Sequence, residues 1–494
     1  MPRTTGSDDL YVLIHTLTIE EKGYFKKFAK RHTSDGSKHI DLFDAINKQT
    51  AFEEVSLKKK FKGYTDMKLY LRNMISDALV LFMNKQENSL IHLSMIMSRA
   101  AVFERKGLTR LALQEIKKGI LLANKNNYPF IEHWFATRDM NLRPVNFSSK
   151  EKYLYEKKSE KNLRHLLEVQ KSNDRFSFER KKIFALIMKN QRLASIDISE
   201  EDIDFKYFRD SNNALSIQAK QYRFDGLCEY YHHQKEHKEE YEIAQRYLEF
   251  TKQLFKKSNR YATAYSRALL FAGRASINLG KVNMAEKHLN EMVNLKTPNE
   301  RFNTVQKSQY VRFMLLLYTS QNLYKEGLNF VKKAEDDYPS AFLNTKENFQ
   351  YDTNISTSAL VYFRNKEYDN LFKTINNLDQ KLIELRSPIY LRDVEILRLM
   401  VQIELRNYEL LPNLVRSAIG RLKKMNMYNH YEKTLLGFFA KADIYRMVDL
   451  ATTVSKQLKK IDLSADSDKL TSYCIGSYAY TDWLDELSAQ KSLL

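Results

Sequence analysis

One spacing of apolar positions recurs along the chain. An aromatic or aliphatic residue is followed three places on by a small or aliphatic one, then by apolar residues four and seven places beyond that. The clearest copy is Tyr324, Gly327, Val331 and Ala334, closed by Pro339. Others are Tyr241/Ala244/Leu248, Val282/Ala285/Leu289/Met292, Tyr368/Leu371/Ile375/Leu378, Tyr408/Leu411/Val415/Ala418 and Val448/Ala451/Ser455/Leu458, so that successive starts lie 40 to 44 residues apart. An earlier copy sits at Thr109, Ala112, Ile116 and Gly119, and its distance from Tyr241 places two weaker copies near 153 and 197. These offsets fall on one face of a 3.6-residue helix, and the small residue lets a neighbouring helix approach closely. Each copy therefore predicts the second helix of a hairpin. Apolar stretches upstream supply first helices over Ala268–Leu279, Tyr310–Tyr318, Ser358–Phe363, Val394–Leu405 and Leu435–Ile444. Polar turns such as Ser320-Gln-Asn322 and Arg364-Asn-Lys366 join the two. A lone hairpin cannot bury its apolar face, so the pairs must stack. The expected fold is all-α: a right-handed α-solenoid of about eight hairpins.

The stretch before Asn88 breaks this register. It predicts short helices over Asp8–Thr16, Thr18–Arg31, Ile40–Asn47, Glu53–Phe61 and Met67–Met83, with turns at Gly36 and Gly63 and a capping box at Thr18-Ile-Glu-Glu21. Its last three helices read either as a helix-turn-helix-like unit, with Lys58, Lys59, Lys60, Lys62 and Arg72 toward phosphates, or as an ordinary bundle capping the array. At the other end, Ile461–Asp468 is a polar break, and Tyr473–Leu487, with Trp483, predicts a helix that covers the last hairpin. Pro144–Ser149 reads as an irregular connection. The expected organisation is a helical module over 1–88, repeats over 89–465 and a capping helix within 466–494.

At this register the chain resembles the tetratricopeptide repeat family. Tyr324, Ala334 and Pro339 match that family's second helix, and Gly280 and Ala285 match its turn glycine and alanine. The period of 40 to 44 is longer than the family's ~34, and its first-helix Trp and Gly signatures are mostly missing, so the likeness is "tetratricopeptide-like". The resemblance implies a scaffold with a concave partner-binding groove and no intrinsic catalysis. The N-terminal segment is also similar to the start of a group of uncharacterised bacterial helical proteins, in which a short helical module precedes repeat hairpins.

Composition narrows the chemistry. Of 494 residues only 13 are Gly and 7 are Pro. No glycines are spaced for a P-loop or a dinucleotide fingerprint, so folds that cradle phosphates on glycine loops lose their usual signature. His233-Gln-Lys-Glu236-His237 fits the inverted zinc-protease pattern, but the repeat register puts it in a hydrophilic turn rather than on one helix face. No other feature supports catalysis, a cofactor or a metal. Cys228 and Cys474 are too few and too far apart for a disulfide framework. Met1-Pro-Arg-Thr-Thr-Gly-Ser-Asp-Asp is polar where a secretory leader is apolar, and no stretch is long and apolar enough to span a membrane. These features together indicate a reducing, cytoplasmic compartment.

Eighty basic against 61 acidic residues leave a net charge of +19. Excess positive charge attracts polyanions. Much of it lies in pairs such as Lys117-Lys118, Lys256-Lys257, Lys332-Lys333, Lys423-Lys424 and Lys459-Lys460, late in predicted helices, where they oppose the negative end of the dipole. Lys220-Gln-Tyr-Arg-Phe224 and Tyr230-Tyr231 offer aromatics among cations, a base-stacking pattern, yet rings at helical spacing are also what a hairpin core needs. The expected function is non-enzymatic: a scaffold or adaptor binding a protein or peptide in its groove. The alternative is a regulatory factor associated with nucleic acid or the ribosome through a basic surface.

Overall fold

The computed structural model describes residues 9–32, 36–85, 89–143, 148–190, 199–297, 300–343, 351–376, 388–425, 427–443, 447–462, 474–475 and 478–489. Among these the chain is helical throughout, apart from one antiparallel ladder pairing Cys474 with Ala479 and Ile475 with Tyr478. It falls into two compact units, Met1–Lys171 and Ser172–Leu494, and the division runs within one helix.

Unit 1 opens with α1 (Asp9–Thr16), α2 (Ile19–His32), α3 (Gly36–Asn47), α4 (Glu54–Lys60) and α5 (Tyr64–Lys85). They share one core, with Ile14, Phe25, Phe43, Ile46, Leu57, Leu71 and Ile75 buried in it. The capping box forms: Thr18 N–H donates to Glu21 at 2.8 Å and Glu21 N–H to the Thr18 hydroxyl at 3.2 Å. Next come α6 (Ser89–Arg105), α7 (Thr109–Lys125) and α8 (Pro129–Leu142), each packed on the next. Gly119 in α7 shows why the register wants a small residue, since a Cβ there would collide with the buried Phe135 ring of α8.

Helix α9 (Ser149–Asn190) corrects the sequence reading: one continuous 42-residue helix stands where a hairpin was expected near 153. The segment contains neither Gly nor Pro, so nothing in it stops a helix once begun. The copy expected near 197 and the core of the Pro144–Ser149 connection lie outside the described residues.

Unit 2 continues with α10 (Phe205–Arg209), α11 (Ile217–His233), α12 (His237–Lys257), α13 (Ala262–Asn278), α14 (Val282–Asn294), α15 (Glu300–Ser320) and α16 (Tyr324–Asp337). Then follow α17 (Tyr351–Arg364), α18 (Tyr368–Asn376), α19 (Pro388–Glu404), α20 (Leu411–Lys424), α21 (His430–Lys441), α22 (Met447–Asp462) and α23 (Tyr480–Ala489). Helices pack on their neighbours and next-but-one neighbours in the chain: α13 touches α11, α12, α14 and α15, and α17 touches α15, α16, α18 and α19. The predicted register positions face inward, with Ala285, Leu289 and Met292, Val331 and Ala334, and Leu411, Val415 and Ala418 all buried. Leu378 and the polar break after Asp462 lie mostly outside the described residues.

Seven turns share one construction. The residue two places before the next element is left-handed: Gly107, Asn127, Lys235, Gly280, Asn322, Lys366 and Arg406, with φ between 53° and 71°. In each, its N–H and the following N–H bond back to carbonyls three and five residues earlier. Examples are Gly280 to Ile277 and Lys281 to Ser276, both at 2.9 Å, and Lys366 to Phe363 and Glu367 to Tyr362, both at 3.0 Å. This is the Schellman closure of a helix. The five that follow α11, α13, α15, α17 and α19 recur 40 to 45 residues apart, close to the period of the register.

Candidate functional site

Helices α9, α11 and α13 enclose a cavity of about 620 Å³ within unit 2. Arg180, Lys181 and Phe184 reach it from α9, Asp225 and Glu229 from α11, and Arg267 and Phe271 from α13. Its wall is chiefly apolar, and Phe184 is 58% exposed at its edge. Gly226 also lines the cavity, and a Cβ there would lie 2.5 Å from the buried Phe208 ring.

The polar groups on the wall are held by one another. Asp225 is buried and takes Arg267 Nη1 at 2.7 Å, with Arg180 Nη1 3.6 Å from the same oxygen. Burial pushes the Asp225 carboxyl up, against the pull of Arg267, whose own guanidinium is held up by that carboxylate. Arg180 Nε is buried with no hydrogen-bond partner. Behind the wall lies a second cluster centred on Arg274. Its Nε donates to Glu240 at 2.7 Å, its Nη1 to Glu229 at 2.9 Å and its Nη2 to the Cys228 carbonyl at 3.0 Å. Glu240, fully buried, also accepts from Asn278 at 2.9 Å and lies 3.2 Å from His232 Nδ1. Burial alone would raise Glu240, but the His232 hydrogen bond and the Arg274 charge hold it down at about 2. Arg274 loses to burial and gains more from Glu229 and Glu240, so it stays well above its ordinary range. Burial pushes the Cys228 thiol far up, which leaves it a protonated core side chain.

The residues singled out in the sequence are placed as follows. His233 ends α11, Lys235 is left-handed, and Glu236 precedes α12, which His237 begins. The H-x-x-E-H stretch is thus an inter-helix turn, as its register indicated. No group of metal-ligating side chains converges among the described residues. Tyr222, Phe224 and Tyr230 serve the packing: Phe224 stacks on Tyr247 at 5.1 Å and Tyr230 lies 4.4 Å from Phe205, while Arg223 donates to the Phe208 carbonyl at 3.1 Å. Of the lysine pairs, Lys256-Lys257, Lys423-Lys424 and Lys459-Lys460 close their helices, while Lys118 is tied to Glu115, Lys332 to Glu367 and Lys459 to Asp485. Lys58, Lys59, Lys60, Lys62 and Arg72 are exposed, and Lys58 pairs with Glu54 at 3.1 Å.

Sequence reading missed Arg180, Asp225 and Arg267. The available signal was faint: Arg267 and Arg274 interrupt an otherwise apolar first helix, where an arginine must find a partner or an opening. No family model, curated protein or solved structure matches the chain, so the tetratricopeptide likeness rests on the register alone. No described helix is long and apolar enough to cross a membrane.

Proposed function

We propose that the chain is a non-enzymatic interaction scaffold: its hairpins form a right-handed, tetratricopeptide-like solenoid, and the first-helix face receives a protein or peptide. The observation that carries this reading is the cavity between α9, α11 and α13, apolar in its wall, cationic at its edge and of a size that engulfs a ligand group. Its carboxylates each pair with an arginine, Asp225 with Arg267 and Glu229 with Arg274, an arrangement that suits recognition better than proton transfer. A photo-crosslinking amino acid at position 184, compared with one at Lys252 on a second helix, tests it in cells. Capture of one discrete protein from 184 and not from 252 is expected. Equal labelling from both faces, or crosslinks to nucleic acid alone, overturns the scaffold.

A second reading has its own observation. Lys59, Lys60, Lys62 and Arg72 are exposed on α4, α5 and the turn between them, which suits a nucleic-acid contact by the N-terminal module. Affinity for duplex DNA or RNA that falls steeply with log[salt], and more gently after Lys59, Lys60 and Lys62 are replaced by Gln, is its expected mark.

A further inference from the structure

The chain already shows what its first-helix face can hold. Helix α23 buries Tyr480, Trp483, Leu484 and Leu487, the i, i+3, i+4, i+7 pattern of a helix lying in a groove. It reaches the first helices of three successive hairpins. Tyr480 donates to Asp393 of α19 at 2.7 Å, Trp483 Nε1 donates to Glu404 of the same helix at 3.0 Å, and the Trp483 ring stacks on Phe439 of α21 at 5.8 Å. Its acidic side answers with Glu486 on Arg364 of α17 at 2.6 Å and Asp485 on Lys459 of α22 at 2.5 Å. An acidic helix with aromatic anchors is therefore a ligand that this array accommodates in its own structure.

We propose that the cavity between α9, α11 and α13 takes the same kind of ligand from a partner: an acidic amphipathic helix that inserts an aromatic side chain between Phe184 and Phe271. This rests on the scaffold reading above and names its partner's chemistry. Phe184 and Phe271 supply the aromatic wall, and Arg180 and Lys181 are the lining cations left to meet carboxylates of the incoming helix, since Arg267 is paired with Asp225. The buried Arg180 Nε still lacks an acceptor. A chain carrying +19 attracts an acidic segment from a distance.

The test uses the full-length protein and a fluorescein-labelled peptide with the sequence of residues 479–490, read by anisotropy. Saturable binding is expected, weakening about tenfold for each of Lys181→Glu and Phe184→Ser, which is about 1.4 kcal/mol apiece. Both side chains are exposed, so the fold should survive, and unchanged melting curves check this. A similar loss is expected when the peptide carries Trp483→Ala or has its carboxylates replaced by lysines. If a basic peptide binds at the Phe184 site as well as the acidic one, the partner chemistry is wrong while the scaffold stands. If the variants leave peptide affinity unchanged, or no peptide binds, this site is refuted. If only a single-stranded oligonucleotide binds, both readings fall. A dimer in sedimentation that the peptide dissolves makes a second copy of the chain the occupant, which overturns a separate partner.

Discussion

Two places in unit 2 bury an arginine on a first helix, and they treat it differently. Arg274 of α13 has acceptors for three of its nitrogens, and the Asp225–Arg267 pair beside it borders an open cavity. Arg392 of α19, which is fully buried, donates to Asp393 at 2.8 Å, lies 3.6 Å from Glu432 and is roofed by Tyr480 of α23. The first site borders a cavity; the second is covered by α23 of the same chain. Burying charge is costly unless it is paired, so neither arginine is an incidental surface residue. Helices packed in the same way thus carry both a covered and an uncovered buried arginine cluster.

The largest expected effect comes from unroofing the closed site. Trp483→Ala removes a ring that is 1% exposed and stacked on Phe439, and should cost about 3–5 kcal/mol. Because the helices pack on near neighbours in the chain, the loss should appear as faster hydrogen exchange in α21 and α22 before it reaches α11 to α13. Phe184→Ser, at the open site, should stay within about 0.5 kcal/mol. Equal costs would erase the distinction between a covered and an uncovered face.

Acid separates the two sites next. Glu240 is held at about 2 against an ordinary 4.5, so it binds its proton less readily folded than unfolded. Its contribution, about 3 kcal/mol from that difference, is fully present above about pH 4.5 and disappears as the pH falls toward 2. At the closed site burial raises Asp393 and Glu432 despite Arg392, so lowering the pH does not remove stability through them. Asp225 is also raised, which makes Glu240→Gln the variant that isolates the effect. Between pH 6 and pH 3 the stability gap between wild type and Glu240→Gln should shrink, and exchange should rise first in α11 to α13. A gap that stays constant with pH would place the loss elsewhere.

These differences explain what the sequence could reveal. Second helices were readable because each buries one stripe: α14 buries only Ala285, His288, Leu289 and Met292, and its polar side faces water. First helices are readable as apolar stretches rather than as one stripe, because they are enclosed on several sides, as in α13, where Ala268 to Ile277 are all buried. The short N-terminal helices are legible from caps and turns, whereas α9 is not, because the spacing between Thr109 and Tyr241 places a hairpin near 153 where a segment free of Gly and Pro runs on as one helix. The cavity was opaque for a different reason. Its residues lie on three helices, at 180–185, 225–229 and 267–271, and only packing brings them together.

The smallest effect tests whether the open and closed stretches share the same turn chemistry. At Gly280 the left-handed φ of 67° suits glycine, and a Cβ there would meet nothing within 4 Å, so Gly280→Ala should cost about 1 kcal/mol through backbone strain alone. Lys366, between α17 and α18, adopts φ of 60° with an exposed side chain and bears that strain already. Lys366→Gly relieves it but frees the unfolded chain, leaving a net gain of about 0.5 kcal/mol. Lys235→Gly, at the turn before α12, should show the same sign and size, since its closure repeats with Lys235 N–H on the His232 carbonyl at 3.1 Å. Urea denaturation of the three variants measures this directly. A gain at Lys366 without one at Lys235 would mean that the turns, like the arginines, differ between the two stretches.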